Sequence, residues 1–230
     1  RLFFVIKAVN AKYFELRDSI LEFQMKPKNK KHLDPVQAQA RREQVLTAAA
    51  DCFRRKGYHG AGMAEIAKTA GMSAGHIYNY FESKEAIIES IIEQDMEEMF
   101  SIFQEFEDQP GDILTVLLDG LHHGVQRHMD TGACVVDLDM MAEASRNKKV
   151  ALLLREADTQ ARNRMRDLLV SESSLIKSHS EQELESRINV IFSVMAGLLL
   201  RKMLFPELTE ETVLIALRPA MKTLLMPFDN

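Results

Sequence analysis

The sequence has only two cysteines, no tryptophan, six prolines and no apolar run near the roughly 20 residues that a membrane-spanning helix needs. Cys52 and Cys134 stand far apart without CxxC spacing, which argues against a zinc ribbon or a disulfide framework and fits a reducing cytoplasm. No glycine-rich phosphate loop, GxSxG or HExxH occurs, so the chain is read as a non-enzyme that needs no cofactor. What remains is an ordinary globular composition, 46% apolar and 27% charged, over 230 residues, enough for one large domain or two smaller ones. The chain opens on Arg1 and an apolar stretch at residues 2–6 with no signal-peptide pattern, and we expect the native protein to begin at Met25. Intact-mass analysis of the native protein tests that expectation.

The net charge of −5 hides an asymmetry. Residues 26–84 carry 11 Lys/Arg against 5 Asp/Glu, whereas residues 85–230 carry 14 against 26. A basic head on an acidic body suits a protein that meets a polyanion with one end only. Lys26, Lys28, Lys30 and Lys31 form a basic run that reads either as an arm along DNA or as solvated chain.

Apolar residues recur at helical spacing from Val45 to Phe53, and the pattern predicts a helix over 37–56 that stops at Gly57. A short helix is predicted over 63–70 with Gly62 as its N-cap, and another over 74–81 capped by Ser73. Ser83 caps a long helix that reaches about residue 107, where the Asp108-Gln109-Pro110-Gly111 segment breaks it. Further helices are predicted over 112–129, 134–146, 148–173, 181–204 and 209–226. Breaks fall at Thr131-Gly132, Asn147, residues 171–180 and Phe205-Pro206, and no strand-like alternation competes. Residues 188–204 are apolar on nearly every face, so that helix must bury more than one side, most economically in a dimer built from the last two helices of each subunit.

The informative stretch is Glu65-Ile66-Ala67-Lys68-Thr69-Ala70-Gly71-Met72-Ser73-Ala74-Gly75-His76-Ile77-Tyr78-Asn79-Tyr80-Phe81-Glu82-Ser83-Lys84-Glu85. Its pattern is that of a helix-turn-helix: Ile66, Ala67 and Ala70 face inward, Gly71 turns the chain, Met72 fills the angle, and Ile77 with Phe81 anchors the second helix. Imidazole and carboxamide groups on the outer face can read bases, while a helix N-terminus and a lysine neutralise phosphate. The alternative is that Tyr78 is a core aromatic like Phe81 and His76 a merely solvated residue. Arg41 and Arg42, on the first turns of the first helix, read as phosphate ligands or as an exposed face.

This run resembles the signature of the TetR/AcrR family, over residues 38–90 by motif and beyond them by helix count. The resemblance implies an all-α fold, with an N-terminal three-helix DNA-binding domain and a C-terminal helical bundle for ligand binding and dimerisation. We divide the chain accordingly into an extension and arm at 1–35, a head at 36–84 and a body at 85–230. It further implies that Gly75, His76 and Tyr78 approach base edges, that Tyr80, Lys84 and the amides from Gly62 and Met63 face phosphate, and that Asn79 serves either role. Ser or Thr is usual in the family where Gly62 stands, so a hydroxyl contact to phosphate is missing.

In the body, Phe100, Phe103, His122, Met129, Cys134, Asp137, Met140, Met141, Phe192 and Met195 are candidates to line an effector cavity, because thioether and aromatic walls accept varied apolar ligands. His122, His123 and His128 lack metal-ligand spacing. The expectation is a cytoplasmic homodimeric repressor that binds a near-palindromic operator and is released by a small hydrophobic effector. The rival is a DNA-bound regulator or activator controlled by a protein partner.

Overall fold

Glycines, prolines and capping side chains divide the chain where its apolar stripes stop. In the computed structural model, which describes residues 35–172 and 180–226, this gives ten helices and no strand among the described residues. The expected basic run at Lys26, Lys28, Lys30 and Lys31, and the expected start at Met25, lie outside them. The chain divides into two units between Ala40 and Arg41, and the packing described below is that of the second.

The order is α1 (Pro35–Gly60), α2 (Met63–Thr69), α3 (Ala74–Ile77), the long α4 (Lys84–Asp108), α5 (Ile113–Asp119), α6 (Leu121–Met129), α7 (Thr131–Ala144), α8 (Lys148–Glu172), α9 (Glu181–Leu204) and α10 (Glu210–Leu225). The stop expected at Gly57 is a kink with φ 71° and ψ 168°, a region essentially reserved to glycine, followed by a last turn to Gly60. Gly71, at φ 65°, makes the turn between α2 and α3. Ser73 and Ser83 cap α3 and α4 as expected, accepting from the His76 and Ala86 amides.

Three boundaries differ from the sequence reading. The helix expected over 74–81 closes at Ile77, after which the chain winds more tightly, with Asn79 N bonded to His76 O at 3.0 Å and Tyr80 N to Ile77 O at 2.9 Å. The helix expected over 112–129 breaks at Gly120, where the Phe106 ring also occupies the space a Cβ would need. The break expected at Thr131-Gly132 sits at Asp130 instead. Its carboxylate accepts from Gly132 N (2.7 Å) and Ala133 N (3.1 Å) and so starts α7 before residue 134.

Two apolar cores result. The first joins Val45, Ala49 and Phe53 of α1, Ile66 and Ala67 of α2, Ile77, Phe81, Ile87 and Ile88 to Val136 and Met140 of α7 and Val150 and Ala161 of α8. The second gathers Phe103 and Phe106 of α4, Leu117, Val125, Met129, Leu168, Ile188 and Met221. Helix α4 walls both, and Met99, Phe100 and Phe192 pack against both. Each large side chain so buried contributes about 1.5–3 kcal/mol, and the first core therefore ties the head to α7 and α8. The far end of α4 is fixed by Arg164 of α8, whose buried guanidinium meets both Glu107 oxygens at 2.7 and 2.9 Å.

Helix α9 resolves the puzzle of its all-round apolarity in part. Leu184, Ile188, Ile191, Leu198 and Leu199 are buried within the subunit, whereas Val190, Val194, Leu200, Met203 and Leu204 stay exposed, as does Ile215 of α10 at 73%. No helix among the described residues is long and apolar enough to cross a membrane.

Candidate nucleic-acid interface

The head is built so that one face of α3 is left exposed. Ile66, Ala67, Ala70, Ile77 and Phe81 are buried as the pattern predicts, and Met72 is partly buried against the same core. On the opposite side Ser73, Ala74, Gly75, His76, Tyr78 and Asn79 are exposed, Tyr78 at 56%. That answers the alternative reading of Tyr78 as a core aromatic. An exposed tyrosine beside a glycine and a histidine on a helix propped at an angle is a surface free to contact a partner.

The flanks are arranged as follows. The Ser73 hydroxyl accepts from His76 N at 3.2 Å, which leaves its own hydrogen for an acceptor outside. Gly62 takes extended backbone (φ −93°, ψ 158°) at the start of α2, without a side-chain cap, and Met63 turns inward against the core. Tyr80 is partly buried, with its hydroxyl 3.1 Å from His76 Nε2. Arg41 is exposed and bonds Gln44 Oε1 at 2.8 Å.

Two expected phosphate ligands make bonds within the subunit. Arg42 donates to Tyr80 O at 2.8 Å and Ser90 Oγ at 3.1 Å and lies over the Phe81 ring at 4.4 Å, so it braces α1 against α4 from within. Burial lowers its pKa against the pull of Glu93. Lys84 donates to the Tyr58 carbonyl and sits 3.8 Å from the centroid of the Tyr58 ring. Burial lowers its pKa too, and its ammonium anchors the end of α1.

With this geometry in place, the likenesses to known proteins can be read. A family model described as bacterial regulatory proteins, tetR family, matches residues 45–91, which is the head with the start of α4. The regulator UidR of Escherichia coli (strain K12) is 34% identical over 125 residues, 52% of this chain and 59% of UidR, so the match spans little more than half the length of that relative. The solved structure of Salmonella enterica GusR superposes with a TM-score of 0.65 at 25% identity, over 85% of this chain and 99% of that one. Residues 45–91 of this chain thus match the DNA-binding part of the TetR family. The fold is also shared with the regulator FadR of Bacillus subtilis, solved in complex with stearoyl-CoA, at a TM-score of 0.64 and 20% identity over 82% of this chain and 99% of that one.

The head meets the body at a polar cluster that the sequence reading missed. The Tyr58 amide donates to Asp139 Oδ2 of α7, and Tyr58 Oη donates to Glu85 Oε1 at 2.9 Å. His59 Nε2 lies 2.7 Å from Glu143 Oε2, which also accepts from Arg146 Nε at 2.8 Å, while Asn147 Nδ2 donates to Glu143 Oε1 at 3.2 Å. Asp139 and Glu143 are spaced i,i+4 on α7, so both reach the same kink. That acidic spacing was the available signal, but nothing local says what it faces.

Burial works to raise the Glu143 carboxyl, yet its hydrogen bonds to Arg146 and Asn147 and the neighbouring His59 hold it below the ordinary value of 4.5. A carboxylate depressed in the folded state stabilises it above the unfolded pKa and ceases to do so as pH falls through the folded value. Glu143→Gln should therefore lower the melting temperature at pH 7, and the difference from the unaltered protein should shrink as pH falls below 4.5 through the folded value, in a series of thermal melts from neutral to acid pH.

The predicted effector residues separate into groups. Phe100, Phe103, Met129, Phe192 and Met195 come together at the second core. Met140 lies in the first. Cys134 is buried and donates to His128 O at 3.3 Å. Asp137 is held by Arg127, which spans from Asp137 Oδ2 on α7 to Asp95 Oδ2 on α4, both at 3.0 Å. His122 and Met141 do not belong in a lining: both are exposed, and His122 Nδ1 bonds Asp119 O on the surface. An open groove of about 440 Å³ runs along one face of α8, lined by Leu152, Arg155, Glu156, Thr159 and Gln160, none of them an expected effector contact.

Proposed function

We propose that this chain is a DNA-binding transcriptional repressor, a homodimer that holds a near-palindromic operator with two copies of α3 and lets go when a small hydrophobic effector enters the body. The observation that carries the reading is the exposed row of Gly75, His76, Tyr78 and Asn79 over the buried anchors Ile77 and Phe81. Two such rows held about one helical turn of DNA apart, roughly 34–36 Å, would enter successive major grooves. Base edges fall to Gly75, His76, Tyr78 and Asn79; phosphate falls to Arg41, Ser73, Tyr80 and the amides at Gly62 and Met63.

The dimer is proposed through the exposed apolar side chains Val190, Val194, Leu200, Met203 and Leu204 of α9 and Ile215 of α10. The effector is placed among Phe100, Phe103, Met129, Phe192 and Met195, beside the Asp95–Arg127–Asp137 bridge. That a FadR of this fold was solved with stearoyl-CoA, whose acyl chain is apolar, supports an effector with an apolar part. An effector that parts Asp95 from Asp137 would move α4 against α7 and change the spacing of the heads, to the extent that it binds the altered state more tightly.

The test is selection of operator sequences from random DNA with the full chain, followed by a compound screen for release. His76→Ala should relax preference at one position of each half-site; equal losses on specific and random DNA would exclude base reading. Control by a protein partner is favoured only by the α8 groove, where Leu152 is 63% exposed. Failure of every compound to shift melting or operator affinity, with capture of a partner lost on Leu152→Asp, decides for it. A reporter assay separates repression from activation.

A further inference from the structure

We infer that Tyr80 is a positioning residue that fixes the tautomer of His76, so that α3 reads an amino group, adenine N6 or cytosine N4, at one operator position. The inference rests on the DNA-binding reading above.

The two rings lie parallel, 5.4 Å between centroids and 18° between planes, with His76 Nε2 3.1 Å from Tyr80 Oη. The pair is held from behind at both ends. The His76 amide is capped by Ser73 Oγ, while the Tyr80 carbonyl accepts from Arg42, which is itself bonded to Ser90 and stacked on Phe81. Tyr80 also packs against the first core. The tight winding after Ile77 sets this geometry, since it brings residue 80 back under residue 76.

A phenol has one hydrogen to give and an oxygen that can accept. Beside the DNA backbone the available partners are phosphoryl oxygens, which only accept, so the hydroxyl hydrogen goes outward and Tyr80 Oη must accept from His76. Nε2 then carries the imidazole proton, and Nδ1 carries a lone pair. Among the described residues none bonds Nδ1. In the major groove a bare acceptor matches the exocyclic amino groups of adenine and cytosine, and it repels guanine O6 and N7 and thymine O4. Without the phenol oxygen the imidazole takes whichever tautomer the base demands, and the distinction is lost.

The experiment uses the full chain and its selected operator. His76→Ala first identifies the base pair whose discrimination collapses; that pair is then replaced by the other three and by analogues lacking the amino group, purine for adenine or 2-pyrimidinone for cytosine. The unaltered protein should favour adenine or cytosine by about tenfold over guanine or thymine, with a similar loss on the analogue. Tyr80→Phe should weaken binding to all sequences alike through its lost phosphate bond and shrink that preference to within about threefold, while the preference at other positions and the salt dependence hold, because no charge is removed. Nitrogen-15 spectra of His76 in the complex should report Nε2–H in the unaltered protein and mixed tautomers in Tyr80→Phe. A preference for guanine or thymine, a preference that survives Tyr80→Phe, an Nδ1–H tautomer, or no position sensitive to His76→Ala overturns the inference while leaving specific binding intact. Absence of any sequence preference in the unaltered protein overturns the DNA-binding reading with it.

Discussion

Replacing Leu200 and Ile215 together with aspartate should halve the solution mass of the protein and weaken operator binding by roughly 10²–10⁴-fold. Both side chains are exposed in the single subunit, Leu200 at 52% and Ile215 at 73%, so charge there costs the isolated fold little. In a dimer sealed by α9 and α10 the same carboxylates would face one another in an apolar interface, where an unpaired charge is strongly unfavourable. Binding then falls because the second half-site is no longer engaged from a tethered partner. The salt slope of binding should drop to about half as well, since half the phosphates are neutralised. Light scattering gives the mass and fluorescence anisotropy gives affinity and slope. A variant that keeps its dimer mass places the interface elsewhere.

Gly57→Ala should cost about 3 kcal/mol and lower the melting temperature by roughly 6–12 °C. The added methyl has room, its nearest neighbour being Asp139 Oδ1 at an ordinary 3.5 Å, so the penalty is conformational. With φ 71° and ψ 168° the residue sits where a Cβ is strained by about 1–3 kcal/mol. Relaxing that strain turns the next peptide and loosens the Tyr58 amide from Asp139 and the Tyr58 carbonyl from Lys84. Gly62→Ser is the control: φ is −93° and nothing lies within 4 Å of the new side chain, so stability should hold or rise by a few tenths of a kcal/mol. Equal melting of the two variants would remove the kink from the account.

What could be read from the chain alone was what neighbours in sequence decide. Gly57, Gly71, Ser73 and Ser83 act on their own backbone, and the apolar rows at Val45, Ile66 and Ile77 need only a period to declare a buried face. The exposed row of α3 followed from the same periods. Where partners are remote, the sequence does not show them. Arg42 looked like a phosphate ligand because its acceptors at Tyr80 and Ser90 lie 38 and 48 residues away. Lys84 did so because the carbonyl that holds it is 26 residues upstream. The ring that crowds Gly120 comes from Phe106, 14 residues away, and Met140 parted from Met129 because α7 leans on the head while α6 faces α9 and α10. His122 and Met141 carry the right chemistry for a ligand on the wrong side of their helices.

A head that owned all its hydrophobic neighbours could be cut away and grafted onto another regulator. Here Val136, Met140, Val150 and Ala161 belong to the same apolar core as Phe53 and Ile77, so an excised head would leave part of that core without its other members. Chimeras that aim to exchange operator preference among relatives must therefore transplant matching patches of α7 and α8 with the first three helices. By the same token, a change selected for sensing in those patches is also a change to how the DNA is held.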